Sequence, residues 1–139
     1  MGNETMQDGL RRLFHGRSVA VVGASTDPSK LGHEILANIV EGGFQGQVYP
    51  VNPKASEVRG LPAYPSVSAC PSDLDLAVVV VPAPFVPGVL REAAAKRAGA
   101  AIIISGGFRE AGREDLEAEI LAVTAETGLR LIGPNCQGI

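Results

Sequence analysis

The chain has 139 residues and a formal net charge of −3; apolar residues make up 45% of it and aromatic residues 4%. This length suits one domain whose core is built from Val, Ile, Leu and Ala. The absence of a basic run argues against nucleic-acid binding, and the absence of a long apolar stretch argues against a membrane span.

The predicted elements alternate along the chain, beginning with a helix near residues 5–14. Apolar runs rich in β-branched residues predict five strands, at 18–23, 47–51, 74–81, 100–105 and 129–133. Helical spacing predicts helices over 32–43, 84–99 and 113–128, each ending at a glycine. The stretch 55–73 reads as a loop with one short helical turn near 65–70.

This alternation predicts a doubly wound, Rossmann-like α/β fold with a five-stranded parallel sheet. The third and fourth apolar runs are continuously apolar, as expected of parallel strands covered on both faces. The rule of right-handed crossovers suggests the strand order 3-2-1-4-5. No repeat or linker divides the chain, so we expect one domain over 1–139, with an N-terminal helical segment at 1–15 and the core at 16–139.

The loops that follow parallel strands all meet at one edge of the sheet, which is where ligands bind in such folds. The first of these loops reads "GASTDPSKLG" and runs from Gly23 to Gly32. Gly23 allows a sharp turn, Ser25 supplies a hydroxyl, and the start of the next helix is a natural site for an anion. The spacing is not G-x-G-x-x-G, so phosphate binding and an ordinary strand–helix turn both stay open.

The loop after the second strand reads "VNPK" and carries no acidic residue. A domain that binds NAD usually places Asp or Glu there, to accept hydrogen bonds from the ribose hydroxyls. Lys54 stands in that region instead, which favours a phosphorylated ribose. NADP carries such a phosphate, and so does coenzyme A.

Candidates for catalysis are weak throughout the sequence. His15 is expected at the surface of the N-terminal segment, and His33 is expected as a solvated or packed residue in the first turn of the first crossover helix. Cys136 has no nearby base that the sequence indicates. The two cysteines, Cys70 and Cys136, form neither a metal motif nor a disulfide framework, which suggests free thiols in the cytoplasm. We therefore expect no metal and no catalytic residue, and a binding module in place of a complete active site.

Several motifs taken together resemble a known family. "VAVVGAS", "VYPVNPK", "LDLAVVVVPAPFVP", "AIIISGGFRE" and "LRLIGPNCQGI" occur in this order. The chain resembles the N-terminal CoA-binding domain of the NDP-forming acyl-CoA synthetases, including ADP-forming acetyl-CoA synthetase. It is also similar to the first domain of the succinyl-CoA synthetase α subunit.

The resemblance implies that CoA or an acyl-CoA lies across the carboxyl edge of the sheet. Residues 25–32 would surround the phosphates, Lys54 would meet the ADP part, and the third and fourth loops would line the adenine or pantetheine side. The residues expected to bind the cofactor are Gly23, Ser25, Lys30, Leu31, Gly32, Asn52, Lys54, Val81, Pro82, Pro84, Ile104, Ser105 and Gly106.

The resemblance also implies a reaction and partners. The family forms an acyl phosphate, passes the phosphoryl group to a histidine and releases acyl-CoA. That phosphohistidine and the ATP-grasp, nucleotide-binding portion belong to other domains, of the same or a partner chain, so we expect this sequence to be part of a longer protein. Homo-oligomerisation stays open. The alternatives are a CoA-binding domain of a synthetase-like protein lysine acetyltransferase, a stand-alone CoA-binding regulatory protein, and an NADP-binding reductase domain.

Overall fold

A computed structural model describes residues 17–104 and 112–132. Its central sheet has five parallel strands, which we number with a small hairpin in chain order. The sheet strands are β1 (Ser18–Val22), β2 (Gln47–Val51), β5 (Leu76–Val79), β6 (Ala100–Ile103) and β7 (Arg130–Ile132). The predicted fold class and the five parallel strands are confirmed. The predicted helix at 5–14 and the predicted segment 1–15 lie outside the described residues.

Three α-helices connect the sheet strands, close to the predicted positions. They are α1 (Leu31–Glu41), α2 (Val86–Ala95) and α3 (Glu114–Thr127). A 3-10 turn at Ala83–Phe85 leads into α2, and another at Val67–Ala69 matches the short helical turn predicted near 65–70. Among the described helices, none is long and apolar enough to cross a membrane.

The order of the strands differs from the predicted one. The sheet runs β2-β1-β5-β6-β7, so the five predicted strands stand in the order 2-1-3-4-5 and not 3-2-1-4-5. The third predicted strand, β5, pairs with β1, with Val22 opposite Val79. The handedness rule accepts either order, because it does not determine on which side of β1 the third strand lies. The order reverses between β1 and β5, so the ligand-binding crevice is expected there.

The sheet separates two hydrophobic clusters, as expected when both faces are covered. The larger cluster joins Ala20 and Val22 of β1 to the inner sides of α2 and α3, including Leu90 and Ile120. The smaller cluster joins Val21 of β1 to the α1 side of the sheet. Neighbouring residues of β1 thus point to opposite faces, and all five are buried. This burial fixes the position of the loop that follows β1.

A two-stranded hairpin that the sequence analysis did not predict lies beyond β2. It consists of β3 (Glu57–Val58) and β4 (Leu61–Pro62). Both turn residues, Arg59 and Gly60, have positive φ angles, of 51° and 79°. The segment after the hairpin pairs with β2, where the Tyr64 N–H donates to the Pro50 carbonyl at 2.9 Å. The outer edge of β2 is therefore covered.

The prediction that each helix ends at a glycine is correct for α1 and α3 and wrong for α2. Gly128 ends α3 in the left-handed conformation, with a φ of 76°, and Gly43 has a φ of 87° just beyond α1. After α2 the left-handed residue is Arg97, with a φ of 62°, and not Gly99. The chain has already left the helix by Gly99, whose N–H donates to the Asp75 carbonyl at 2.9 Å.

Candidate functional site

A pocket of about 540 Å³ opens at the carboxyl ends of β1 and β5, where the strand order reverses. Three neighbouring loops and the start of α1 form its walls. It is lined by Gly23, Ala24, Ser25, Lys30, Leu31, Gly32, Asn52, Pro53, Val80, Val81, Pro82 and Ile104. Its volume falls within the range of small-molecule and cofactor sites.

Two glycines bring the start of α1 against the end of β1. Gly23 has a φ of 100°, a conformation that residues with a side chain rarely adopt, and its N–H donates to the Val51 carbonyl. A Cβ atom on Gly32 would lie 2.0 Å from the Gly23 carbonyl oxygen. The helix therefore contacts the strand end through backbone atoms, which leaves room for a ligand in front of both.

The first turn of α1 offers free N–H groups to this pocket. The residue before the helix, Lys30, is extended and makes no side-chain capping bond. The N–H groups of Leu31 and Gly32 accordingly have no hydrogen-bond acceptor in the part of the chain that the structure describes. Unpaired N–H groups and the positive end of the helix dipole favour an anion at this point.

The loop between β1 and α1 is ordered by its own polar groups. Asp27 accepts hydrogen bonds from the Ser29 N–H at 2.9 Å and from the Ser29 hydroxyl at 2.8 Å. These bonds, the backbone one first, hold the pKa of the exposed Asp27 carboxyl below its ordinary value of 3.8, so this residue is negatively charged at neutral pH. The Asp27 N–H donates to the Ser25 hydroxyl at 3.0 Å, which leaves the hydroxyl proton available to a ligand.

Two further side chains hold carbonyl groups of the same loop. The Asn52 amide donates to the Ala24 carbonyl at 2.9 Å, and its oxygen accepts from the backbone N–H groups of Lys54 and Ala55 at 2.7 and 3.0 Å. On the opposite side, Nδ1 of His33 lies 2.9 Å from the Ser25 carbonyl oxygen. A carbonyl only accepts, so Nδ1 carries the proton. Asn52 thus joins the first two loops, and His33 joins the first loop to α1.

Nine of the thirteen predicted cofactor-binding residues line the pocket. They are Gly23, Ser25, Lys30, Leu31, Gly32, Asn52, Val81, Pro82 and Ile104. Lys54 and Pro84 do not line it: Lys54 is exposed one residue beyond Pro53, and Pro84 lies in the 3-10 turn that precedes α2. Ser105 and Gly106 lie outside the described residues.

The sequence analysis missed the lining residues Ala24, Pro53 and Val80, which adjoin predicted ones in the chain. It also missed the contact between His33 and the first loop. The position of this histidine in the first turn of α1 was visible in the sequence. Its partner, eight residues earlier, depends on how the loop folds back.

Metal-ligating side chains and a cysteine also occur among the described residues. Over 17–104 and 112–132, no three side chains of His, Cys, Asp or Glu come together to hold a metal ion. Cys70 is a free cysteine in the larger hydrophobic cluster, and its burial raises the pKa of the thiol above 9.0. His15 and Cys136 lie outside the described ranges. The arrangement at the carboxyl edge is suited to holding a ligand that carries both phosphate groups and apolar parts.

Known proteins are similar to this chain in sequence and in fold. Residues 17–139 match the family model described as a CoA binding domain. The chain is 46% identical over 132 residues to the ADP-forming acetate–CoA ligase I of Archaeoglobus fulgidus, with 94% of this chain and 19% of that protein covered. It is also 46% identical over 133 residues to the α subunit of the ADP-forming acetate–CoA ligase II of Pyrococcus furiosus, covering 94% of this chain and 29% of that subunit.

A solved structure of another protein is similar to this chain in fold and in sequence. It is the dinucleotide-forming acetyl-coenzyme A synthetase 1 of Ca. Korarchaeum cryptofilum in complex with phosphate and ADP. The TM-score is 0.89 at 45% identity, over 94% of this chain and 28% of that chain. The chain thus spans less than a third of each protein it matches here.

Proposed function

We propose that the carboxyl-edge pocket holds the ADP part of coenzyme A, because the chain belongs to the CoA-binding domain family and is similar over 94% of its length to ADP-forming acetate–CoA ligases. The observation that carries this proposal is the uncapped start of α1, which opens into the pocket. The diphosphate of CoA is an anion of the kind that such a helix end binds.

The hydrogen-bond donors that line the pocket support a phosphate at this point. Lys30 lines the pocket, and its ammonium group would add a positive charge beside the free N–H groups of Leu31 and Gly32. Ser25 has a hydroxyl proton available for donation. Hydrogen bonds from charged donors to phosphate oxygens are the stronger ones, so these groups favour the diphosphate over a neutral ligand.

The opposite wall of the pocket is apolar. It consists of Val80, Val81, Pro82 and Ile104, which follow β5 and β6. We assign this wall to the adenine ring or to the pantetheine arm, which need apolar contact and few polar partners. The stiff Pro82 backbone lacks a donor and keeps this wall apolar.

We assign the 3′-phosphate of CoA to Lys54. The Asn52 side chain fixes the Lys54 backbone at 2.7 Å, while the lysine side chain is exposed beside the pocket residue Pro53. Its four-carbon stem is flexible, so the ammonium group is able to approach a phosphate at the rim. This assignment explains why the second loop carries a lysine where NAD-binding domains carry an acid.

We further propose that the whole protein is an acid–thiol ligase of the cytoplasm. The two relatives described above are named as ADP-forming acetate–CoA ligases, and one of them is an α subunit. The phosphohistidine and ATP-grasp domains would accordingly belong to the same chain or to a partner. In this scheme the present domain presents the thiol of CoA to the acyl group and contributes no phosphoryl acceptor.

Calorimetric titration of the 139-residue chain tests the assignment. We expect saturable binding of CoA, and weaker binding of 3′-dephospho-CoA. Lys54→Ala should weaken CoA binding about tenfold, the loss of one hydrogen bond to a charged group, and leave 3′-dephospho-CoA unchanged. Arg91→Gln removes a cation that pairs with Glu119, and it should leave both affinities unaltered.

Two results would count against the proposal. Equal affinity for the two ligands in the wild-type chain would remove the role of Lys54. Binding of NADPH together with no binding of CoA would favour a reductase domain and overturn the proposed function.

A further inference from the structure

We propose that His33 is a positioning residue, which turns the peptide between Ser25 and Thr26 so that its N–H group faces a bound phosphate. This inference rests on the proposed function, because it concerns the same anion site. His33 itself would make no contact with the ligand.

The hydrogen bond of His33 fixes the direction of one carbonyl. Nδ1 lies 2.9 Å from the Ser25 oxygen and donates to it, from the first turn of α1. Without this donor the carbonyl would be free to turn toward the pocket, where its partial negative charge would oppose a phosphate. The half-buried imidazole therefore keeps an unfavourable dipole away from the anion.

The same bond also directs an N–H group. In a trans peptide the carbonyl and the N–H of the next residue point in opposite directions. Because the Ser25 carbonyl faces His33, the Thr26 N–H faces away from that side chain. The described residues provide no acceptor for this N–H group or for that of Ser25. Two donors of the loop thus stay available to a ligand.

A second side-chain hydrogen bond holds the preceding peptide, so the loop is held from both sides. Asn52 donates to the Ala24 carbonyl at 2.9 Å, which directs the Ser25 N–H away from Asn52. Successive N–H groups held in this manner, next to a helix N-terminus, form a concave site for an anion. His33 is the part of this arrangement that comes from α1, so it couples the loop to the helix end.

Two substitutions separate positioning from direct contact. His33→Asn places an amide nitrogen where Nδ1 stands, two bonds beyond Cβ, and so keeps the donor while removing the ring. His33→Leu removes the donor, and His33→Ala does so with less bulk. We would titrate the 139-residue chain and each variant with ADP and with adenosine, and follow the backbone amides by NMR.

We expect His33→Leu and His33→Ala to weaken ADP binding about tenfold, the loss expected for one misdirected hydrogen bond to a charged group. Adenosine binding should be unchanged, and His33→Asn should stay within about twofold of the wild type for both ligands. In the ligand-free chain, the Thr26 amide resonance should shift more in His33→Leu than in His33→Asn, because both variants lose the imidazole ring current but only His33→Leu loses the donor to the Ser25 carbonyl.

Equal ADP affinities of the wild type and His33→Leu would overturn the inference, and so would an equal loss in His33→Leu and His33→Asn, which would indicate direct contact by the imidazole. If the wild type bound neither ADP nor CoA, the proposed function would fail. The Thr26 amide would then still decide the inference, because a shift in His33→Leu no larger than that in His33→Asn would contradict the orientation of the peptide.

Discussion

Replacing Gly32 with alanine should separate the start of α1 from the end of β1. The new Cβ would lie 2.0 Å from the Gly23 carbonyl oxygen and 2.9 Å from the carbonyl carbon. Ordinary contact begins at 3.4 Å, so the helix would have to move by about 1.4 Å, the difference between 2.0 and 3.4 Å. The obstacle is backbone, which cannot turn aside as a flexible side chain does.

The magnitude follows from two opposing effects. Overpacking of this kind costs roughly 1–3 kcal/mol, and a backbone obstacle places Gly32→Ala at the upper end. Alanine gains about 0.5–1 kcal/mol over glycine within a helix. We therefore expect a net loss of about 2 kcal/mol, which lowers the melting temperature by roughly 6–10 °C for a chain of this length.

Gly88 provides a matched control within α2. A Cβ atom there would meet nothing within 4 Å. Gly88→Ala should therefore stabilise the chain by about 0.5–1 kcal/mol and raise the melting temperature by roughly 2–4 °C. Thermal denaturation followed by circular dichroism should thus show a lower melting temperature for Gly32→Ala and a higher one for Gly88→Ala, although both variants add the same methyl group.

CoA binding completes this comparison. Gly32→Ala should weaken it, because the free N–H groups of the first turn of α1 move with the helix, while Gly88→Ala should leave it unchanged. The reasoning is refuted if Gly32→Ala is as stable as the wild type, or if it binds CoA with unaltered affinity.

Two further predictions concern titratable groups. Asp27→Asn removes a negative charge from the loop but keeps an acceptor for Ser29, so calorimetry should show CoA affinity rising roughly two- to fivefold. Asp27→Ala also removes the acceptor for Ser29 and should lower CoA affinity. Lower affinity in both variants would contradict the prediction and show that the carboxylate itself is needed. The folded structure raises the pKa of the Cys70 thiol above 9.0, so the thiol ionises at a lower pH in the unfolded chain than in the folded one. The free energy of unfolding should therefore fall as the pH rises from the unfolded pKa toward the folded pKa. Urea denaturation at pH 8 and pH 10 should show a smaller loss in Cys70→Ala than in the wild type, and an equal loss would contradict the prediction.

Much of the fold could be predicted because its signals are local. The continuously apolar runs that contain β5 and β6 are typical of parallel strands, and a glycine, Gly128, follows the last residue of α3. The strand order could not be predicted, because nothing local to the stretch 55–73 determines the side of β1 on which β5 pairs.

The hairpin and the end of α2 were missed for different reasons. Arg59–Gly60 is a two-residue turn with positive φ at both positions, and the glycine was a visible signal for it. At Arg97 a non-glycine residue takes the left-handed conformation, and its chain neighbours give no sign of this. There the tertiary structure overrides the local preference.

The position of the candidate site could be predicted from the topology of the sheet, but the hydrogen bonds within the site could not. Loops after parallel strands share one edge, so Gly23, Asn52 and Val81 were expected to meet, and all three line the pocket. The bonds from Asn52 to Ala24 and from His33 to Ser25 depend on the path of the loop in space. Lys54 illustrates the limit, since its position at the edge was predictable and the direction of its side chain was not.

The most direct measurement of the central claim is an NMR titration of the 139-residue chain with CoA, in which each backbone amide is followed. We predict the largest shifts at the start of α1 and in the loop after β1, at Ser25, Leu31 and Gly32, and no shift at the opposite end of the sheet, where the Arg17 N–H donates to Asp75 at 2.7 Å. Saturable shifts at Arg17 and Asp75, with none at Leu31 and Gly32, would contradict the account.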